Sequence, residues 1–335
     1  MPIIDAPLVA DNLNKNDMQA ESQFREAPWD AKRLILKLQL TKQLWENKKR
    51  GIDTSVMVYD LTDKKQIYSY NTDYVHYAAS ISKLFVTQLL WEDLNAGKTT
   101  LDTVVSWDPS DRRAGAGQYD GPNSPTSATV RDVLVDMLKQ SGNTAVRVVV
   151  NKVLGGANAV NARYEADYPQ LKVTRLQPVS ETGFLLGYTT PKEADFIIDR
   201  IYKQQHGEFS QLILDSLENN IFNDYGPRSQ VKDQDLINVI DKQGQLNDPE
   251  GNNRHDVGII ENVNGHKLRY TLMTTNYEQP AGEATNYATE SLKYFGKDLL
   301  RYVGDRKPRP EESNNSNKVE LKADANVKVE GRITY

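Results

Sequence analysis

Three short clusters in this chain carry side chains able to do chemistry. In Ser80-Ile81-Ser82-Lys83 a hydroxyl and an amine stand three apart, one helical turn from each other on one face. A neutral lysine amine there can take the serine proton, which gives an activated nucleophile without histidine. Ser141-Gly142-Asn143 adds a second hydroxyl and an amide, and Lys242-Gln243-Gly244 a second amine. Each cluster also has a plain structural reading. Ser80 can cap a helix with Lys83 a solvated charge, Ser-Gly-Asn can be a helix stop with an Asn cap, and Lys242 can be a charged strand end. In a chain of 335 residues about one Ser-x-x-Lys spacing is expected by chance.

Composition narrows the alternatives. The chain has no cysteine, which excludes disulfides, a thiol nucleophile and thiolate metal sites. Its four histidines, His76, His206, His255 and His266, are not spaced as a metal-binding pair on one helix. Chemistry is therefore expected to run on hydroxyls, amines or carboxylates, with no metal and no cofactor. The net charge of −5 and the lack of a concentrated basic stripe argue against nucleic acid. No run of 18 apolar residues is present to span a membrane. A chain this long buries roughly three quarters of its unfolded surface, as one large domain or two moderate ones.

The elements that must position these groups follow from periodicity. Residues 1–27 are polar and acidic and do not read as a signal peptide, and 305–335 read as a linker or tail. Trp29 to Asn47 reads as a helix with Leu34, Leu38, Thr41 and Trp45 along one face. Thr54–Tyr59 and Gln66–Tyr70 read as a hairpin around Thr62-Asp63-Lys64. Ser80 to Ala96 is a predicted helix ended by Gly97, and Thr129 to Gln140 another, with Thr129 and Asp132 as capping pair. Thr144 to Leu154 stops at Gly155-Gly156, and Thr190-Pro191-Lys192-Glu193 opens a further helix. Leu236–Lys242, Val257–Val263 and Lys267–Thr274 read as strands, the last two joined at Asn264-Gly265, where both residues tolerate positive φ. Thr285 to Val303 is a last helix. This order predicts an α+β sandwich, with strands from both ends of the sequence in one antiparallel sheet and a helical insertion between them. A cleft is expected between sheet and helical block.

Taken together and in order, the three clusters, 61 and 101 residues apart, resemble the motifs of class A β-lactamases and active-site-serine penicillin-binding proteins. The similarity extends to Ala78–Leu84, to Thr129–Asp132 and Gln140–Ala145 with Leu154-Gly155-Gly156, to Tyr188–Pro191 and to Asp256–Ile260, covering most of 29–304. It implies a β-lactamase-like domain over 28–304, with a sheet part at about 28–75 and 230–304 and a helical part at about 76–229.

The resemblance also implies roles. Ser80 is the expected nucleophile towards a lactam or D-alanyl carbonyl, and Lys83 its base, with a pKa lowered by burial and by Lys242. Ser141 relays a proton to the leaving nitrogen, Lys242 attracts a substrate carboxylate, and Asn143 hydrogen-bonds a substrate amide. The oxyanion lies between the N–H groups of Ser80 and Gln245, just after Gly244. The substrate is expected to be a β-lactam or a peptidoglycan stem peptide, met outside the cytoplasmic membrane.

Two departures stand out. Gln243 replaces the family's threonine or serine hydroxyl, and its longer amide can still donate to a carboxylate. The stretch Arg175–Gly183 lacks the glutamate pattern that activates the deacylating water in class A enzymes; Glu181, the one nearby carboxylate, is the candidate base for that water or else a solvated loop charge. Deacylation is then expected to be slow. A D,D-carboxypeptidase, for which Ser-Gly-Asn also speaks, and a non-catalytic binding module on the same fold are the alternatives. Arg112 and Arg113 read as a solvated loop or as the mouth of the cleft.

Overall fold

The structure is a computed structural model that describes residues 28–178, 185–204, 207–232, 236–248, 251–277 and 285–304. Its centre is a five-stranded antiparallel sheet in the order β2-β1-β10-β9-β8, built from β1 (Ile52–Asp60), β2 (Lys65–Tyr70), β8 (Ile237–Asp248), β9 (Gly251–Asn262) and β10 (Lys267–Asn276). Strands from both ends of the chain thus share one sheet, as the element order predicted. Helices α1 (Trp29–Lys49) and α8 (Thr285–Gly304) cover one face.

The helical insertion covers the other face. It holds α2 (Ser82–Asn95), α3 (Val130–Lys139), α4 (Asn143–Val148), α5 (Ala157–Asp167), α6 (Pro191–Lys203) and α7 (Glu208–Glu218). Two small sheets join it: β4 (Val104–Ser106) with β5 (Ser127–Thr129), and β3 (His76–Tyr77), β7 (Leu185–Thr189) and β6 (Arg175–Pro178).

Strand alternation divides the interior. Ile240, Val257, Ile259 and Met273 enter the core under the helical block, whereas Val239, Ile260, Tyr270 and Leu272 enter the one under α1 and α8. The middle strand β10 is buried along nearly its whole length, as a strand covered on both faces must be. Local chemistry sets the helix starts. The Thr129 hydroxyl accepts from the Asp132 N–H at 3.1 Å, and Thr190 accepts from the Glu193 N–H at 3.2 Å ahead of Pro191.

Some sequence expectations are corrected. On α1 the buried stripe is Leu36, Leu40 and Leu44, while Leu34, Leu38 and Trp45 face solvent. The helix carries two apolar stripes, and periodicity alone cannot say which one meets the sheet. The predicted helix 144–154 is α4 followed by one π-helical turn, Val149–Val153. Between β9 and β10 only Gly265 adopts positive φ (78°), and Asn262 Oδ1 holds the loop by accepting from the N–H groups of Asn264 and His266. Strands β8 and β9 run well past their predicted ends, and α5 and α7 were not foreseen.

Candidate active site

Ser80 does not open a helix. It sits in a 3₁₀ turn, Ala79–Ile81, that feeds α2. Ala79 ahead of it has φ 46°, a left-handed conformation that a non-glycine residue adopts only at a cost of about 1–2 kcal/mol. Ser141 stands in the same region, φ 56°, in the turn between α3 and α4. Both hydroxyl-bearing turns are therefore held by their surroundings rather than by local preference.

These turns and β8 bring three clusters together. Lys83, buried on the first turn of α2, places Nζ 2.9 Å from Ser80 Oγ, 3.1 Å from Ser141 Oγ, 2.8 Å from the Ser141 carbonyl and 3.0 Å from Asn143 Oδ1. Ser141 Oγ donates to Ser80 Oγ at 2.9 Å and accepts from Lys242 Nζ at 2.9 Å. Lys242 is fully buried on the inward face of β8. Burial pushes the Lys83 amine well below its ordinary range, and the charge of Lys242 pushes it further. Burial also lowers Lys242, to about 8, against the opposing pull of Asp241 and Asp256.

Proton counting then gives Lys83 a role. Two of its neighbours, the Ser141 carbonyl and Asn143 Oδ1, can only accept. A neutral amine satisfies both with its two N–H groups and leaves its lone pair for the Ser80 hydroxyl proton. That is the arrangement of a general base against a nucleophile.

Gly244 explains how β8 comes so close. A Cβ there would lie 3.0 Å from Ile81 Cγ1 and 3.3 Å from both the Ala78 carbonyl oxygen and the Ile81 nitrogen. Glycine lets the strand lie tight against the turn that carries Ser80, where a side chain would press on it. The cavity between β8 and the helical block has about 470 Å³ and is lined by Ser80, Lys83, Ser141, Asn143, Gln245 and Phe222 among others.

Two predicted binding residues line the cavity and already hold protein partners. The Gln243 amide donates to the Tyr225 carbonyl at 2.7 Å and faces Asp256 Oδ2 at 3.4 Å, while its own Oε1 is buried without a partner. It ties β8 to the 225 loop while still lining the cavity. Asn143 spans the site floor, accepting from Lys83 and donating to the Ala114 carbonyl at 2.7 Å. Glu181 lies outside the described residues, as does His206. Arg112 donates to the carbonyls of Pro122 and Ser124, which closes its loop.

Other groups escaped the sequence reading. Asp120 accepts from the N–H groups of Asn143 (3.1 Å) and Thr144 (2.8 Å), anchoring the start of α4. Asp136 lies under Gly142, where a Cβ would be 1.9 Å from its Oδ2. Its Oδ1 accepts from the Gln118 N–H, its Oδ2 has no partner, and burial raises its pKa to about 6. Arg254, buried on β9 opposite Gln245, is held by neutral oxygens: the Asn253 carbonyl at 2.7 Å and Asn247 Oδ1 at 2.9 Å. Among the described residues no carboxylate forms an ion pair with it, and burial pulls its pKa below the ordinary guanidinium value. Cross-strand pairing with Gln245 is the signal that finds Arg254, and pairing is a property of the sheet. The described histidines are structural: His76 bonds Ser55 and Thr275, His255 bonds the Tyr77 carbonyl, and His266 faces Asp60. Among the described residues no cluster of three metal-ligating side chains occurs.

Comparison with known proteins finds the same fold. Solved structures of similar fold include a beta-lactamase from Sphaerobacter thermophilus (17% identity, TM-score 0.66, covering 81% of this chain and 98% of that one). PBP-A (17%, 0.67, 79% and 95%) and a class A beta-lactamase from Mycobacterium abscessus (18%, 0.65, 79% and 99%) are also similar. A comparison with curated protein sequences gives no significant match. The sequence model of the beta-lactamase enzyme family matches residues 36–301, most of the chain, and the protein therefore belongs to that family.

Proposed function

We propose that this protein is a serine acyl hydrolase that forms an acyl-enzyme on Ser80 with a β-lactam or a D-alanyl stem peptide and releases it slowly. The observation that carries the reading is the position of Lys83 Nζ, buried, 2.9 Å from Ser80 Oγ, with two acceptor-only oxygens occupying its N–H groups. As Ser80 Oγ bonds to the carbonyl carbon, its proton passes to Lys83. Lys83 returns that proton through Ser141 to the nitrogen that leaves as the amide C–N bond breaks. Lys242, charged, keeps Ser141 oriented.

The developing oxyanion is received by the N–H groups of Ser80 and Gln245, a reading supported by the packing of Gly244 on the 78–81 turn. A substrate carboxylate is drawn by Lys242 and by the Arg254 guanidinium behind Gln245. The sequence around Glu181 lacks the glutamate pattern of class A enzymes, which supports slow attack of water on the acyl-enzyme. A variant of PBP-A has been captured as an acyl-enzyme with penicillin G; that chain is 17% identical to this one (TM-score 0.65, covering 79% of this chain and 97% of that one).

The test is intact mass after mixing with benzylpenicillin, followed over time, with Ser80→Ala as control. A lasting adduct that the variant lacks is the expected result. A transient adduct with loss of free penicillin means an efficient lactamase. No adduct at any time overturns the lactam reading and leaves a different acyl substrate or a non-catalytic binding module. Release of D-alanine from a stem pentapeptide separates the carboxypeptidase reading, which the Ser-Gly-Asn turn favours. Such stem peptides are met outside the cytoplasmic membrane, and we place the protein there.

A further inference from the structure

The outer face of α1 has a composition that the core does not use. Leu34, Leu38 and Trp45 are 58%, 62% and 58% exposed, spaced along one stripe with Thr41. Lys37, Lys42, Lys48 and Lys49 are exposed on the same side of the helix. Helix α8 runs antiparallel beside it. Arg50 lies 4.9 Å over the Tyr287 ring at one end, and the Trp29 and Tyr302 rings are 5.7 Å apart at the other. From α8 come the exposed Tyr287, Tyr294 and Lys297. The acidic groups of this surface are few: Asp30, paired with Arg33 at 3.0 Å, Glu46, paired with Lys49 at 3.5 Å, exposed Glu290, and half-buried Asp298 close to Lys42 and Lys297.

Apolar side chains interleaved with lysines, on a chain of net charge −5, need an explanation that covers both features. An anionic polymer would satisfy the lysines and leave Leu34 and Leu38 in water. A bilayer surface satisfies both. Leucine and tryptophan enter the headgroup–acyl boundary, tyrosine rests at headgroup depth, and lysines bury their stems while their ammonium groups meet lipid phosphates.

We infer that the α1–α8 face is a docking surface for the anionic surface of a lipid bilayer. Association is peripheral, since no helix among the described residues is long and apolar enough to cross a membrane. The cavity opens between β8 and the helical block, on the other side of the sheet, so docking leaves it accessible.

The test is co-sedimentation of the full chain with phosphatidylcholine vesicles, with and without phosphatidylglycerol, at low and high salt. Binding to the anionic vesicles that weakens with salt is expected. Leu34→Asp with Leu38→Asp, and separately Lys37→Glu with Lys48→Glu, each lower the partition roughly tenfold or more at unchanged Tm. All four positions are exposed, so folding is preserved. Equal binding to neutral and anionic vesicles, no binding at low salt, or wild-type binding by both variants overturns the inference. A dimer in sedimentation velocity that the leucine variant dissociates, without vesicle binding, overturns it in favour of a second copy of this chain.

Discussion

Lys83 and Lys242 meet across a single hydroxyl: their Nζ atoms lie 3.1 Å and 2.9 Å from Ser141 Oγ. Two ammonium groups so close, both buried, cannot both stay charged cheaply, and Lys83 is pushed down further than Lys242, even though Asp120 and Asp136 oppose the shift. Asp241 and Asp256 support the charge on Lys242. Lys83 is the amine that loses its proton more readily.

That asymmetry predicts a pH profile. Acylation requires neutral Lys83, so its rate falls below the depressed pKa of that amine. Lys242→Gln removes one of the two causes of the depression, and the acidic limb of the profile moves to higher pH. Lys83→Ala lowers the acylation rate about 10² to 10⁴-fold at all pH values, as loss of a general base does. Stopped-flow measurement of adduct formation between pH 5 and 9 checks both.

Gly244→Val tests the contact between β8 and the nucleophile turn. Its branched side chain meets the backbone of the 78–81 turn and Ile81, so the strand is displaced and the Ser80 and Gln245 N–H groups separate. Loss of one oxyanion donor is worth about 10² to 10³ in rate. Adduct formation with penicillin should drop by that order while the cooperative unfolding transition persists.

Gln243→Ala separates a tether from a substrate contact. Removing its bond to the Tyr225 carbonyl leaves a buried acceptor unpaired and lowers stability by about 1–3 kcal/mol. The penicillin concentration for half-maximal acylation should stay within a few-fold of wild type. A large rise in that concentration at unchanged stability would restore the substrate-binding role.

Arg254→Met tests recognition of a carboxylate. A hydrogen bond to a charged group contributes about 1.5–3 kcal/mol, so acylation efficiency towards benzylpenicillin should fall roughly ten- to a hundredfold. The benzylpenicillin methyl ester, which lacks the charge, should react equally with both proteins.

Asp136 gives a stability prediction with a definite sign. Its carboxyl is raised to about 6 in the folded protein, from an ordinary 3.8, chiefly by burial. The folded state therefore holds this proton more tightly, and the contribution to stability is full below pH 4 and lost as pH rises through 6. Asp136→Asn keeps an acceptor for the Gln118 N–H and removes that loss. Its Tm should exceed wild type by several degrees at pH 7.5, on the order of 2 kcal/mol, and the gap should close towards pH 4.

Local signals in the sequence were enough for the elements that rest on local physics. Thr129 and Thr190 cap the helices that their hydroxyls predict, because a cap is a contact between neighbours three residues apart. The hairpin at Gly265 and the strands beside it follow from turn chemistry and apolar runs. The wrong face of α1 shows the limit. Leu34, Leu38 and Trp45 repeat as regularly as Leu36, Leu40 and Leu44, and only the approach of the sheet and of α8 decides which stripe is buried.

The sequence by itself determined the three clusters, their order and the fold class, since these depend on residue types, spacings and periodicities written along the chain. What the tertiary structure alone decided is distance. It put Lys83 and Lys242 on one hydroxyl, tied the Gln243 amide to the Tyr225 carbonyl, and set Asp120 under the start of α4. Burial does the rest. An amine becomes a base only when the whole fold removes water from it and places a second cation beside it, and no spacing along a chain records either.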